Sequence, residues 1–174
     1  SPQLVYKQST TTKGKIMNLT MKAIKHSEWA SQETFCYQGN VYLDGKLFAY
    51  VSNDGHGGCD RVYGNDKFKG DYRETRNAMD EYFTSLPKDK SEWFPEGLSK
   101  TFESWCHEQV MNFLIRKDVR RIMSKKYLFK CDDGLFDVSH NVNPARILRD
   151  HPEAVILNDL PEAEAIAIYT KETS

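Results

Sequence analysis

Apolar and polar residues alternate most regularly between Thr34 and Asn53, and the alternation is broken once, at Asp44-Gly45. That dipeptide tolerates the positive φ angles of a tight primed turn, so the stretch reads as a β-hairpin. A two-residue turn sets Leu43 opposite Lys46, Val41 opposite Phe48 and Tyr37 opposite Ser52. Tyr37, Val41, Leu43, Phe48 and Tyr50 then share the core face. Tyr42, Leu47, Ala49 and Val51 line the other face, to be covered by the N-terminal arm or a partner, and a bulge at Gly45 would exchange these roles on one strand. Leu19, Met21 and Ala23 alternate with polar residues from Ile16 to His26, which predicts a further strand of the same sheet.

After a glycine-rich loop and a short polar connector the period changes. Ala78, Met79, Tyr82, Phe83 and Leu86 fall at helical spacing within Asp71 to Leu86, and Pro87 ends that helix. A second helix starts between Pro95 and Thr101, with Ser99 as its N-cap, and carries Phe102, Trp105, Cys106, Val110, Phe113 and Leu114. Its stripe then shifts to Ile115, Val119, Ile122 and Met123, so it bends or passes between two layers. Tyr127 to Cys131 and Leu135 to Ser139 read as a second hairpin around Asp132-Asp133-Gly134. Pro144 to Asp150 suits a short helix and Ala154 to Leu157 a short strand. Asp159-Leu160-Pro161-Glu162 resembles a helix start, with Asp159 as cap and the helix running through Ile168. The fold expected is α+β: a mostly antiparallel sheet built from hairpins, packed on two central helices, with a small C-terminal helix. Residues 16–174 read as one domain. Ser1 to Lys15 reads as a flexible arm or an added leader, since Met17 would serve as a native start.

Bulk composition narrows the function classes. A chain of 174 residues buries a core without staples. Lys+Arg 24 against Asp+Glu 25 argues against a surface built throughout for nucleic acid or anionic membrane. The four cysteines, Cys36, Cys59, Cys106 and Cys131, form no Cys-x-x-Cys pair, which fits reduced cytosolic thiols better than a secreted disulfide framework. No apolar run approaches the roughly 20 residues of a bilayer span, and no signal peptide is apparent.

Candidate chemistry gathers in Ser52-Asn53-Asp54-Gly55-His56-Gly57-Gly58-Cys59-Asp60. Backbone N–H groups of such a loop can form an anion-binding nest, and His56 can exchange a proton near neutral pH. Asn53, Asp54, His56, Gly57 and Gly58 are therefore the candidate binding residues here. The loop matches neither the P-loop nor the dinucleotide fingerprint. The plainer alternative is a turn in which Asn53 and Asp54 cap their own backbone. For a metal, His56 and Cys59 supply two ligands, Asp54 or Asp60 a third, and Cys106-His107 more, although a buried cysteine beside a surface histidine is the commoner meaning of such pairs. Nucleophilic catalysis by Cys59 or Cys106 needs a base that no spacing identifies. No cofactor is implied.

Arg116 to Lys126 holds six basic residues and one acidic. On a helix, Arg116, Lys117, Arg120 and Arg121 form a basic stripe able to contact phosphate, or a solvated end that complements the helix dipole. Cys131 to Ser174 holds nine acidic residues and three basic, so the charge either balances within the fold or steers a charged partner. Most aromatic residues sit at core spacings. Tyr63, Tyr72, Trp29 and Trp93 lie in polar surroundings and suit interface anchors.

Tyr-Leu-Asp-Gly-Lys, Tyr-Val-Ser-Asn-Asp-Gly-His-Gly-Gly and the later Leu-Asn-Asp-Leu-Pro-Glu-Ala-Glu-Ala together resemble a group of small proteins of bacteriophages and other bacterial mobile elements. The resemblance implies a cytoplasmic accessory protein that engages something of the host's or the phage's, in the manner of inhibitors of defence systems, and it carries over no reaction. Two functions follow. One is a non-catalytic binding protein for a host protein or a nucleic-acid complex, with no membrane role. The other is a small nuclease- or phosphoesterase-like enzyme using Asp54, His56 and Asp60. The first is preferred, because one loop with one histidine is a sparse catalytic set.

Overall fold

The Asp44-Gly45 turn closes the first hairpin in a computed structural model, with both residues at positive φ, 50° and 81°. The structure describes the backbone of residues 3–6 and 15–174 and the side chains of residues 18–174. The hairpin strands are β3 (Cys36–Leu43) and β4 (Lys46–Asp54). Leu43 pairs with Lys46 as the turn requires, but Tyr42 pairs with Leu47 and Val41 with Ala49, so Phe48 is an extra residue on β4. The bulge lies within the strand and not at Gly45. Beyond it the register moves by one, and Tyr37 faces Asn53 instead of Ser52.

This bulge corrects the expected faces. Tyr37, Val41, Leu43 and Phe48 are buried as expected, but Ala49 and Val51 join them while Tyr50 turns outward and is 43% exposed. An extra residue flips the side-chain phase of everything after it. Phe48 uses the position to stack on Tyr72, ring centroids 4.9 Å apart, with Phe68 edge-on at 5.0 Å.

Strand β2 (Lys15–Ser27) runs antiparallel to β3 and has its own irregularity between Lys22 and Lys25, where Ala23 takes a φ of 53°. Leu19 is buried, whereas Ala23 is exposed, so the expected alternation ends there. Strand β1 (Gln3–Tyr6) pairs antiparallel with β2. The remainder of the expected N-terminal arm, residues 1–2 and 7–14, lies outside the described residues. β5 (Arg61–Gly64) pairs with β4 and completes a five-stranded antiparallel meander in the order β1-β2-β3-β4-β5. It occupies the expected polar connector: four residues with two apolar side chains carry too little pattern to be read as a strand.

Helix α1 (Tyr72–Ser85) begins where Asp71 accepts the Glu74 N–H and ends before Pro87, burying Met79, Tyr82 and Phe83. Helix α2 (Phe102–Met123) is capped by Thr101 and not Ser99, through reciprocal bonds between Thr101 and Ser104. Thr101 adjoins the first helical residue, and that adjacency decides which hydroxyl can reach the free N–H groups. The chain divides into two units, residues 1–110 and 111–174, and α2 contributes residues to both.

In the second unit, β6 (Lys126–Cys131) and β7 (Gly134–Ser139) form the expected hairpin, and β8 (Val155–Ile156) pairs with β6 from the other side. Helix α3 (Pro144–Asp150) matches its expected bounds and is capped by Asn143. Asp159 is not a cap. It belongs to a 3-10 turn, Leu157–Asp159, and α4 runs from Glu162 to Thr173, beyond the expected end at Ile168. Leu128, Leu157 and Ala165 form one buried cluster here, and Asn158 holds the β6 end by accepting the Leu128 N–H and donating to the carbonyls of Met123 and Lys126. The architecture is α+β. Among the described residues no helix is long and apolar enough to cross a membrane.

The bulge makes a checkable distinction. Phe48→Ala is expected to lose about 3–5 kcal/mol of unfolding free energy, whereas Tyr50→Ala stays within about 0.5 kcal/mol. Urea denaturation of both variants measures this, and an uninterrupted register would make both changes costly.

Candidate functional site

The glycine-rich loop is built around the amide of Asn53, which is 5% exposed. Its oxygen accepts from the Thr34 hydroxyl at 2.8 Å and the Gly55 N–H at 2.9 Å. Its nitrogen donates to the Gly58 carbonyl at 2.9 Å and to Asp60 Oδ1 at 3.0 Å. All four hydrogen-bonding positions of the amide are filled. Gly55 has a φ of 86°, and a Cβ there would sit 2.1 Å from the Ala30 carbonyl oxygen. The Gly55 carbonyl in turn receives the N–H groups of Gln32, Glu33 and Thr34. Only glycine permits that approach.

The loop aims its last carboxylate inward. Asp60 has a side chain 3% exposed and accepts the Tyr37 hydroxyl at 2.8 Å. His107, from the second turn of α2, places Nε2 3.3 Å from Asp60 Oδ2. Glu103, one turn earlier, accepts the Asp60 backbone N–H at 3.2 Å. The rings of Phe35 and Tyr37 stand edge-on to the His107 ring, at centroid distances of 6.2 and 6.3 Å. Burial raises the pKa of the Tyr37 hydroxyl and of the neighbouring Cys106 thiol, and the negative charge of Asp60 adds to both shifts. Cys106 is thereby a protonated, buried thiol and a poor nucleophile.

The three residues of the enzymatic alternative are not brought together in this way. Asp54 faces outward, pairing with Arg61 at 3.0 Å and capping the His56 N–H. The His56 side chain is exposed and has no hydrogen-bond partner among the described residues. Of the three, Asp60 alone enters the buried network, and its histidine is His107. The N–H groups of Gly55, His56, Gly57 and Asp60 donate to side-chain oxygens of Asn53, Asp54, Thr34 and Glu103. They are therefore occupied by the protein itself, and Asn53 and Asp54 cap the loop as the plainer reading of this turn has it. Cys59 is exposed and unpaired.

Glu103 went unnoticed in the sequence. Its signal is the i, i+4 spacing to His107, which puts both side chains on one face of a helix, but nothing in the pattern tells that this face meets Asp60. Asp60, Glu103 and His107 each bring one ligating atom within 4.8 Å of the others, and Cys131, His151 and Glu153 do the same in the second unit. Two grooves adjoin the loop. One of about 380 Å³ is lined by residues 31–35 and His107, and one of about 420 Å³ by residues that include His26, Tyr37, Asp54 and Arg61.

The basic run lies in the second unit. Arg120 makes a bidentate pair with Glu162, both bonds 2.8 Å, and Arg116 approaches the same carboxylate at 3.8 Å. Arg121 pairs with Asp118, Lys126 with Asp137 and Lys130 with Glu172. Lys117 is exposed without an ion pair among the described residues. Of the expected anchors, Trp29, Trp93 and Tyr63 are 86%, 85% and 61% exposed. Tyr72 is half-buried, its ring stacked on the buried Phe48, and it does not stand out as an anchor would.

Two measurements test this geometry. Asn53→Ala strips partners from Asp60, Thr34, Gly55 and Gly58 at once, so a loss of about 2–4 kcal/mol is expected in denaturant unfolding. The Glu162 carboxyl is held below its ordinary range by the hydrogen bonds from Arg120. Its stabilising contribution is complete above the unfolded carboxylate pKa and disappears as the pH falls through the lower folded value. NMR titration is expected to show that depressed value in the wild type and its return toward normal in Arg120→Gln.

No protein-family model, no curated protein and no solved structure matches the chain.

Proposed function

We propose that this chain is a non-catalytic binding protein that grips a macromolecular partner with aromatic anchors of its first unit. The observation that carries this is the loop between α1 and α2. Asp89 and Leu98 exchange both backbone hydrogen bonds at 2.9 Å, Ser91 and Phe94 exchange theirs at 3.2 Å, and the Gly97 N–H closes on the Phe94 carbonyl at 2.9 Å. Lys100 adds an ion pair to Asp89 at 3.5 Å. This ordered tip holds out Trp93 at 85% and Phe94 at 50% exposure. An indole left in water forfeits the largest burial energy of any side chain, and rigid aromatic tips are the usual anchors of protein interfaces. Pre-ordering of the loop lowers the entropy lost on binding.

A protein partner fits better than nucleic acid. Lysines and carboxylates alternate around the tip, at Lys88, Asp89, Lys90, Glu92 and Glu96, so it offers no phosphate-binding field. In the second unit, Arg116, Arg120 and Arg121 already face carboxylates. The sequence resemblance to phage and mobile-element proteins supports a partner from a bacterial host, where blocking a defence protein is one role for a small binder.

The test is co-purification from bacterial cells, quantified by native mass spectrometry. A stoichiometric host protein is expected on the wild type and on Asp54→Ala/His56→Ala, and at least a tenfold lower yield on Trp93→Ala/Phe94→Ala. Unfolding midpoints of that double variant should match the wild type, because both side chains are exposed. Undiminished capture by the double variant, or turnover of a phosphate ester abolished by Asp54→Ala/His56→Ala, would overturn the proposal.

A further inference from the structure

At the buried end of the glycine-rich loop, hydrogen bonds satisfy the Asp60 carboxylate, but the side chains paired with it bring at most one positive charge to two neighbouring carboxylates. Asp60 is almost wholly withdrawn from water, and the Glu103 carboxylate lies beside it. Burying one carboxylate is unfavourable unless a cation or several hydrogen bonds compensate, and a second carboxylate nearby raises the requirement. Tyr37 and Asn53 supply hydrogen bonds but no charge. Arg76, whose charge acts on the neighbouring Cys106, lies over the Phe102 ring at 4.2 Å and pairs with Asp80 at 3.5 Å, and no arginine or lysine is paired with Asp60 or Glu103 among the described residues. His107 is the remaining candidate, and a single imidazole faces two carboxylates.

We propose that Asp60, Glu103 and His107 form a binding site for a divalent transition-metal ion of the zinc type, a site separate from the aromatic tip. The ligand set is one imidazole nitrogen and two carboxylate oxygens, which suits a borderline ion better than calcium or magnesium. The spacing fits. Ligands about 2.0–2.1 Å from a tetrahedral ion lie about 3.3 Å from one another, and Asp60 Oδ2 and His107 Nε2 are 3.3 Å apart. Glu103 is exposed and has a flexible stem, and its oxygen starts within 4.8 Å of both other ligand atoms.

The surroundings resemble those of a metal ligand shell. Tyr37 donates to Asp60 Oδ2 and Asn53 to Oδ1, fixing the carboxylate's orientation as outer-shell donors do, and the rings of Phe35 and Tyr37 stand edge-on to the imidazole. Charge also balances, because a divalent cation with neutral imidazole cancels both carboxylates. Three protein ligands leave a fourth position for water, and His107 borders the groove lined by residues 31–35, which gives that position access to solvent.

The experiment uses the full chain, freed of metal with chelator and then titrated with Zn²⁺ by calorimetry and with Co²⁺ by visible absorption. One equivalent of Zn²⁺ is expected on the wild type, with the unfolding midpoint raised on saturation. Affinity should fall at least about tenfold in Glu103→Gln and again in His107→Gln, and should not change in Cys131→Ser. The Co²⁺ spectrum should show d–d bands without thiolate charge transfer, since no sulfur is among the ligands. Glu103 is exposed, so its variant is expected to fold even if Asp60→Asn does not. Absence of binding to the wild type, binding unaffected by both ligand variants, or a thiolate band lost in Cys131→Ser, which would assign the ion to Cys131, His151 and Glu153, would each overturn the proposal.

Discussion

Withdrawing the Asp60 carboxylate from water is the constraint on which the first unit's loop geometry depends. A buried carboxylate is tolerated only where donors converge on it, and here they come from three distant parts of the chain: Tyr37 on β3, Asn53 on β4 and His107 on α2. Each contact fixes the path of the element that provides it. Asn53 does most, because its amide bridges the turn after β2, the glycine loop and Asp60 at once. Gly55 follows from this closure, since the Ala30 carbonyl occupies the space a side chain would need.

The same closure takes up four of the loop's backbone N–H groups within the protein. Free backbone N–H groups make a nest only when nothing nearer accepts them. In this loop, side-chain oxygens of Asn53, Asp54, Thr34 and Glu103 do so first. A similar internal settlement governs the second unit, where Arg120 and Glu162 form a bidentate pair and lysines of β6 reach carboxylates on β7 and α4. Exposed pairs of this kind contribute little stability but cancel the local field that a phosphate would feel.

Aromatic residues divide by how the backbone presents them. Tyr72 and Trp93 look alike in sequence, each set among charged neighbours. Tyr72 is the first residue of α1, and its ring stacks on Phe48 of β4. Trp93 sits at the tip of a loop whose backbone groups bond to each other, and its ring stays 85% exposed. This contrast gives the binding proposal its anchors and removes one that the sequence had suggested.

Local patterns carried much of the fold. Asp44-Gly45 specified its turn because few dipeptides accept two positive φ angles, and Pro87 and the periodicity of Met79, Tyr82 and Phe83 marked a helix whose boundaries depend on neighbours in sequence. The α+β class followed from these alone. What required tertiary structure were features in which distant residues compete. The bulge at Phe48 reflects a packing site made with Tyr72 and Phe68, and β5 exists because β4 offers an edge, not because Arg61–Gly64 has a strand pattern. The candidate site shows the division most clearly. Asp60 was legible as a loop carboxylate and His107 as a potential ligand, but their meeting depends on a helix more than 40 residues away in the chain, beyond the range of any local signal. Sequence determined which residues can turn, cap or ligate; the long-range packing of β3, β4 and α2 decided which of them meet, because a carboxylate out of water is stable only where that packing delivers its donors.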